Sequence, residues 1–181
     1  AITYVVVYKS EIGKFMTKIL AGKVSAGRGV AIKMVASNDE YIKILLGTDP
    51  FPGTLNIVLD MPVILQRVIP LDKRPKQFGV VGSIENVPCI IYRWRGAPLH
   101  IVEIIAASSL RETLALVDGQ KIRLTLPHDN LAKPACWRIL LWKLFYNGRT
   151  EAFYQDKALK QLMKFKVIHK MVCQRQFKLC G

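Results

Sequence analysis

The chain has 181 residues, of which 51% are hydrophobic and 22% are charged. This is enough apolar material for a folded core, and it argues against disorder. No apolar run approaches the roughly 18–20 residues of a membrane span, no cleavable leader is evident at the N-terminus, and the four cysteines have no metal-binding spacing. We therefore expect a cytoplasmic globular protein without a membrane span.

The net charge of +14 is unevenly distributed. Residues 132–181 contain 11 Lys and Arg against 2 Asp and Glu, whereas residues 1–131 contain 16 against 11. A surplus of this kind attracts phosphates, nucleic acid or acidic lipid without selecting among them.

Short segments of strand composition recur along most of the chain, and turn residues separate many of them. The predicted strands are residues 3–8, 18–24, 30–35, 54–60, 78–83, 89–94, 100–106 and 121–126. Two capping boxes, Ser37–Glu40 and Ser109–Glu112, each open a short helix, the first of which ends at Gly47. Many short strands with few helices predict a mainly β protein built on a small β-barrel.

The pattern changes after Pro127. Residues 135–146 predict a helix that is apolar nearly all round, which implies burial, and residues 151–163 predict an amphipathic helix. Residues 164–173 alternate as a strand would. We expect a barrel domain, residues 1–131, and a basic α+β extension, residues 132–181, packed on the barrel.

Three segments carry candidate chemistry. Gly27 and Gly29 lie two apart in a loop whose N–H groups could line a phosphate, although, taken alone, these glycines are better explained by a plain hairpin turn. Thr54 and Asn56 share one face of a strand, opposite the apolar Leu55, Ile57 and Leu59, and so lie about 6.5–7 Å apart. Their oxygen atoms are of the kind that Mg²⁺ prefers, but two solvated strand positions would look the same.

The third segment contains Glu103 and Arg111. Glu103 lies in an apolar run, where a carboxylate needs a hydrogen-bond partner or a ligand, unless it simply faces outward. Arg111 lies in the first turn of a predicted helix, where the helix dipole favours an acid. Either a bound anion or a salt bridge with a nearby acid would explain that placement.

Together the segments resemble the archaeal CTP-dependent riboflavin kinases. The resemblance covers about residues 20–126 and depends mainly on Gly-Thr-Leu-Asn at residues 53–56 and on Glu-Ile-Ile-Ala…Leu-Arg at residues 103–111. It implies a cradle-loop β-barrel that transfers the γ-phosphate of CTP to riboflavin, or to a related hydroxyl acceptor, and forms FMN and CDP.

The resemblance also implies roles for individual residues. Thr54 and Asn56 would hold Mg²⁺, and Glu103 would bind the flavin, with a part in catalysis left open. The nucleotide would contact Gly27, Arg28, Gly29, Val30, Ala31, Ile32, Ser108, Ser109, Leu110 and Arg111. Three positions depart from the family pattern: Ala31 replaces a glycine, Arg95 a threonine and Ala107 a proline. The alternative is a non-catalytic barrel that binds nucleotide or nucleic acid through its basic tail.

Overall fold

The computed structural model describes residues 16–27, 35–36, 39–72, 76–146, 148–150 and 173. Nine strands and three α-helices lie within these residues. The strands are β1 (Thr17–Ser25), β2 (Leu55–Leu59), β3 (Ile64–Leu65), β4 (Ile69–Pro70), β5 (Gln77–Ile84), β6 (Val87–Trp94), β7 (Ile101–Ile105), β8 (Lys121–Pro127) and β9 (Leu131–Ala132). The helices are α1 (Asp39–Leu46), α2 (Leu110–Thr113) and α3 (Cys136–Tyr146), and a 3₁₀ turn spans His128–Asn130.

Six strands form a closed antiparallel barrel in the order β5-β6-β7-β2-β1-β8, and β8 pairs again with β5. Closure occurs where Ser83 and Ile84 pair with Thr125 and Leu124. A Cβ atom on Gly82 would lie 2.5 Å from the carbonyl oxygen of Thr125, so this position admits only glycine without a shift of the backbone. The prediction of a mainly β barrel with short helices is confirmed.

The predicted strands and the structure agree closely at six places, but three short strands, β3, β4 and β9, were not predicted. The predicted strand at residues 30–35 is wrong at its end, because Val35 is helical, and residues 30–34 lie outside the described residues. The predicted elements at residues 3–8 and 151–163 also lie outside them. Of residues 164–173 only Cys173 is described, and it forms an isolated antiparallel bridge with Pro98.

Alternation along β2 sorts its side chains between the barrel interior and the outer face. Leu55, Ile57 and Leu59 belong to the interior core, as predicted from their spacing. A second apolar cluster covers part of the outer face, where Ile42 of α1 packs with Ile90, Tyr92 and Ile105. Helix α1 ends as predicted, because Gly47 has a φ of 72° and its N–H donates to the carbonyl of Lys43.

A buried arginine organises one end of the barrel. Arg93 is fully buried, and its guanidinium donates to the backbone carbonyls of Ile101, Val63 and Leu99 at 2.8–2.9 Å. Burial lowers the pKa of Arg93 to about 9, while Cys173 acts in the opposite direction. The side chain is therefore still charged at neutral pH, and it connects β6 to the residue before β3 and to the segment that leads into β7.

Helix α3 docks against the barrel through His100. The indole N–H of Trp142 donates to Nδ1 of His100 at 2.8 Å, so His100 carries its proton on Nε2 and donates it to the carbonyl of Thr150 at 2.9 Å. The ring of Tyr146 lies 4.3 Å from the imidazole, centroid to centroid. These contacts place the helix beside the residue that precedes β7.

The expectation that this helix is buried all round is wrong. Trp142 and Tyr146 are buried, but the opposite side is exposed, at 55% for Trp137, 68% for Leu140 and 72% for Leu144. Because α3 has apolar side chains on all its faces, apolar character does not determine which face meets the barrel. The hydrogen bond from Trp142 to His100 determines it. No helix within the described residues is long and apolar enough to cross a bilayer.

The buried imidazole predicts an acid-sensitive step in stability. Burial lowers the pKa of His100 to about 4; the Thr150 carbonyl opposes this shift and Arg93 adds to it. The unfolded chain, with a histidine pKa near 6.5, binds more protons between pH 6.5 and 4, so stability falls as the pH falls through that window. Between pH 6.5 and pH 4, the free energy of unfolding measured in urea should decrease by about 3 kcal/mol more for the wild type than for His100→Gln. Parallel pH profiles for the two proteins would contradict this.

Candidate active site

Four polar side chains form one row across four adjacent strands. The register pairs Ser25 with Asn56, Asn56 with Glu103, and Glu103 with Tyr92. Directly opposed residues of antiparallel strands project from the same face of the sheet. Since Leu55 and its alternate neighbours face the interior, this row, which we call the polar row, lies on the outer face of the barrel.

Thr54 joins the polar row from the residue before β2. Its Oγ1 donates a hydrogen bond of 2.8 Å to Oε2 of Glu103, so residues 49 positions apart in the sequence are in direct contact. Asn56 is 6% exposed and Glu103 is partly buried. The structure thus brings together a hydroxyl, an amide and a carboxylate that the sequence singled out in two separate segments.

The donor set suits a hard divalent cation. Hydroxyl, amide and carboxylate oxygens are ligands that Mg²⁺ accepts, and Mg²⁺ in phosphate-transfer sites is usually held by few protein groups, with phosphates and water completing its shell. Within the described residues, no group of three or more His, Cys, Asp or Glu side chains is placed to bind a metal. The oxygen atoms of Thr54 and Asn56 therefore fit Mg²⁺ bound together with a nucleotide, and the Glu103 carboxylate lies beside them.

Arg111 borders the polar row from α2. Its Nη2 donates to the carbonyl of Ser25 at 3.1 Å and to Oδ1 of Asp118 at 2.6 Å. Of the two explanations left open by the sequence, the salt bridge with a nearby acid is the one observed. The hydrogen bond to the Ser25 carbonyl holds the Arg111 guanidinium at the end of β1. Ser25 is the residue that pairs with Asn56.

The other predicted residues of this segment have mixed roles. Leu110 is 5% exposed and belongs to the barrel core, so only its backbone is available to a ligand. Ser109 occupies the N-cap position of α2, but its side chain makes no capping hydrogen bond, so the predicted capping box does not form as such. Ser108 Oγ lies 3.1 Å from Oγ1 of Thr113. Gly27 is exposed after β1, and Arg28, Gly29, Val30, Ala31 and Ile32 lie outside the described residues.

Tyr92 is the member of the polar row that sequence reasoning missed. It is 4% exposed, and its pKa is raised above its usual range by burial first, and then by Glu103 and Asp72. The alternation of β6 allowed Tyr92 to face outward. Its proximity to Glu103 follows only from the pairing of β6 with β7, and that register has no local sequence signal.

Comparison with known families assigns the part of the chain that contains this site. Residues 24–126 match the family model described as "CTP-dep_RFKase: Domain of unknown function DUF120". The match covers more than half of the chain and includes β2, β7 and α2. The chain belongs to the CTP-dependent riboflavin kinase family. The resemblance that the short motifs at residues 53–56 and 103–111 carry is thereby confirmed.

Several curated archaeal proteins named riboflavin kinase are similar to this family member. The Thermococcus kodakarensis protein is 33% identical over 123 residues, which are 59% of this chain and 57% of that protein. The Pyrococcus furiosus protein is 35% identical over 121 residues, with the same two shares. The Sulfurisphaera tokodaii protein is 34% identical over 133 residues, 60% of this chain and 96% of that protein. The chain thus spans little more than half of two of these riboflavin kinases and nearly all of the third.

Two departures from the riboflavin kinase pattern lie on the surface. Arg95 and Ala107 are both exposed, so neither replacement disturbs the core of the barrel. Helix α3 begins after residue 126, beyond the part of the chain that matches the family model.

Proposed function

We propose that this chain catalyses transfer of the γ-phosphate of CTP to a ribityl hydroxyl of riboflavin, forming FMN and CDP. The observation that carries the proposal is the contact of Thr54 with Glu103 beside Asn56. It places the groups implied to bind the metal next to the group implied to bind the acceptor. Phosphoryl transfer requires such proximity, because positioning and electrostatic stabilisation supply most of its catalysis.

Thr54 and Asn56 would hold Mg²⁺, which when bound neutralises charge on the β- and γ-phosphates of the nucleotide. The rigidity of the site comes from the strands. Asn56 lies within β2, with β1 on one side and β7 on the other, so its amide is fixed by two ladders of backbone hydrogen bonds. A ligand on a rigid element is held closer to its productive position than one on a loop.

Glu103 would bind the acceptor, and Arg111 would face the nucleotide. The Glu103 carboxylate accepts a hydrogen bond from Thr54 and has lone pairs for a second donor. In the transfer step, the ribityl oxygen forms a bond to the γ-phosphorus, the bond from that phosphorus to the β-phosphate oxygen breaks with its electron pair passing to CDP, and the hydroxyl proton passes to water. Arg111 would have to exchange its Asp118 contact for a phosphate, and the partial exposure of both side chains, 40% and 54%, permits that exchange.

The experiment is incubation of the purified chain with riboflavin, Mg²⁺ and each of the four nucleoside triphosphates, followed by separation of FMN and of the diphosphate formed. We expect FMN and CDP from CTP, at a rate at least tenfold above that with ATP, and no FMN when EDTA removes the metal. Equal rates with ATP would contradict the assignment of the donor. Binding of CTP without formation of FMN would contradict the assignment of the acceptor and leave the nucleotide site standing.

A further inference from the structure

Helix α3 leaves one apolar face in contact with solvent. Trp137, Leu140 and Leu144 follow one another at spacings of three and four residues, so they lie along the same face of the helix. Each is more than half exposed, whereas Trp142 and Tyr146 on the opposite face are buried against the barrel. We call the three exposed side chains the apolar ridge. Large apolar side chains that are exposed side by side, unlike scattered ones, are typical of a binding surface.

The sequence around the apolar ridge carries only positive charge. Residues 131–150 contain four Lys and Arg and no Asp or Glu. Lys143 borders the ridge, three residues after Leu140, while Lys133 lies before the helix and Arg149 after it. All three of these basic side chains are exposed. The surface thus combines an apolar strip with a basic border, and it complements a partner that is anionic at its surface and apolar beneath.

A second copy of the chain and a nucleic acid both fit this surface less well than a lipid bilayer does. Two copies facing each other through α3 would bring lysine against lysine, with no acid in residues 131–150 to neutralise them, and like charges at an interface are costly. A nucleic acid would neutralise the lysines but would leave the apolar ridge against a polar backbone. An anionic bilayer satisfies both parts, because leucine enters the acyl boundary, tryptophan prefers the interface, and lysine stays among the headgroups.

We propose that α3 is a peripheral membrane-binding element, which lies in the interface of an anionic lipid bilayer with the apolar ridge directed toward the acyl chains. The attachment is reversible and salt-sensitive, because a helix of 11 residues inserts only three large side chains and depends on exposed basic residues for the remainder. The hydrogen bond from Trp142 to His100 keeps the opposite face on the barrel, so the barrel is held at the bilayer surface. Helix α3 lies beyond the residues that match the family model, and the inference does not depend on the proposed function.

The test is flotation of the full chain with vesicles of phosphatidylcholine alone, or of phosphatidylcholine mixed with phosphatidylglycerol. We expect binding to the mixed vesicles and not to the neutral ones, and we expect this binding to weaken as salt is added. The fluorescence of Trp137 should shift to shorter wavelength on binding, since its indole leaves water. Trp137→Phe should still bind the mixed vesicles but should lose that shift.

Substitutions on α3 separate the apolar part of the binding from the electrostatic part. Leu144→Ser should weaken binding to the mixed vesicles by about tenfold or more, because the burial of one leucine side chain is lost. Lys143→Gln should weaken it by about fivefold, since one basic residue near an anionic surface is lost. The matched controls are Ile19→Ser and Lys121→Gln, which change an exposed isoleucine on β1 and an exposed lysine on β8. Both controls should bind the vesicles as the wild type does.

Three results would overturn the inference. The first is no binding to the mixed vesicles at low salt, and binding of single-stranded RNA in their place would assign the surface to nucleic acid. The second is a dimer in sedimentation that Leu140→Ser dissociates, which would assign the apolar ridge to a second copy. The third is a fall in the free energy of unfolding of Leu144→Ser as large as that for a buried leucine, because an exposed leucine contributes little to stability. Such a fall would show that the chain itself covers the ridge.

Discussion

Replacing Thr54 by valine, or Asn56 by leucine, is expected to lower Mg²⁺-dependent formation of FMN from CTP by about 10²–10³-fold, the usual cost of losing one group that stabilises charge in the transition state. Valine keeps the shape of threonine but removes the oxygen, and leucine keeps the branching of asparagine, with methyl groups in place of the amide oxygen and nitrogen, at a position that is 6% exposed. The loss should appear as a defect in metal dependence. Initial rates measured over a range of Mg²⁺ concentrations would show it.

Thr125→Val is the matched control for these substitutions. Thr125 is a partly buried threonine on β8, where it pairs with Ser83 and Ile19 away from the polar row. The Thr125→Val variant should have the full activity of the wild type and the same dependence on Mg²⁺. If Thr54→Val and Asn56→Leu are as active as this control, or if they lose activity only because they unfold, then Thr54 and Asn56 do not bind the metal.

Replacing Arg93 by methionine is expected to lower the free energy of unfolding by about 2–6 kcal/mol, a large part of the stability of a domain of this size. The substitution leaves the carbonyls of Val63, Leu99 and Ile101 without the guanidinium that serves all three. The Leu99 carbonyl keeps the N–H of Val63 at 3.0 Å, but a buried acceptor that is left without any partner costs about 1–3 kcal/mol. Equilibrium unfolding in urea at neutral pH measures the difference.

Arg93→Lys provides the comparison for charge. A lysine keeps the charge but lacks the planar fork that reaches three carbonyls in fixed directions, so its stability should lie between that of the wild type and that of Arg93→Met. If lysine restores full stability, the charge matters and the three directed hydrogen bonds do not. If methionine is as stable as the wild type, the three carbonyls find other partners.

The sequence was sufficient to predict the barrel strands and the faces of β2. Alternation of Leu55, Ile57 and Leu59 with polar neighbours fixes which side chains enter the core, because a strand has a period of two and burial selects one face. Gly47 could likewise be predicted to end α1, since a left-handed conformation after a helix strongly favours glycine. Both predictions depend on neighbouring residues only, so they do not require knowledge of which strands pair.

Which residues meet at the site depends on how the strands pair, and no local sequence pattern predicts strand pairing. Thr54 and Asn56 could be placed on one face, and Glu103 on another strand. Only the register of β2 with β7 brings them together, and only the register of β6 with β7 adds Tyr92. The motif resemblance was enough to associate Thr54 and Asn56 with Glu103, because it implies the fold of the family. It could not supply the second, since Tyr92 lies outside the motifs at residues 53–56 and 103–111 that carry the resemblance.

Helix α3 shows the limit of apolar composition as a guide. A helix that is hydrophobic on all sides predicts burial on all sides, yet only the face with Trp142 and Tyr146 is covered. What selects that face is a directed hydrogen bond to a buried imidazole. Composition carries no information about such a partner 42 residues earlier in the chain.

The three tryptophans of the chain lie in three different surroundings, and they give the protein a built-in set of optical reporters. Trp137 is 55% exposed, Trp142 is 6% exposed with its indole N–H on His100, and Trp94 lies beside Tyr92 at the polar row. Iodide should quench the emission of Trp137 first, acid should alter that of Trp142 through the imidazole, and a flavin bound near the polar row should quench Trp94, because flavin absorption overlaps tryptophan emission. Three variants that each keep one tryptophan would therefore report separately on the docking of the C-terminal helix and on occupation of the site, when their fluorescence is compared in parallel titrations.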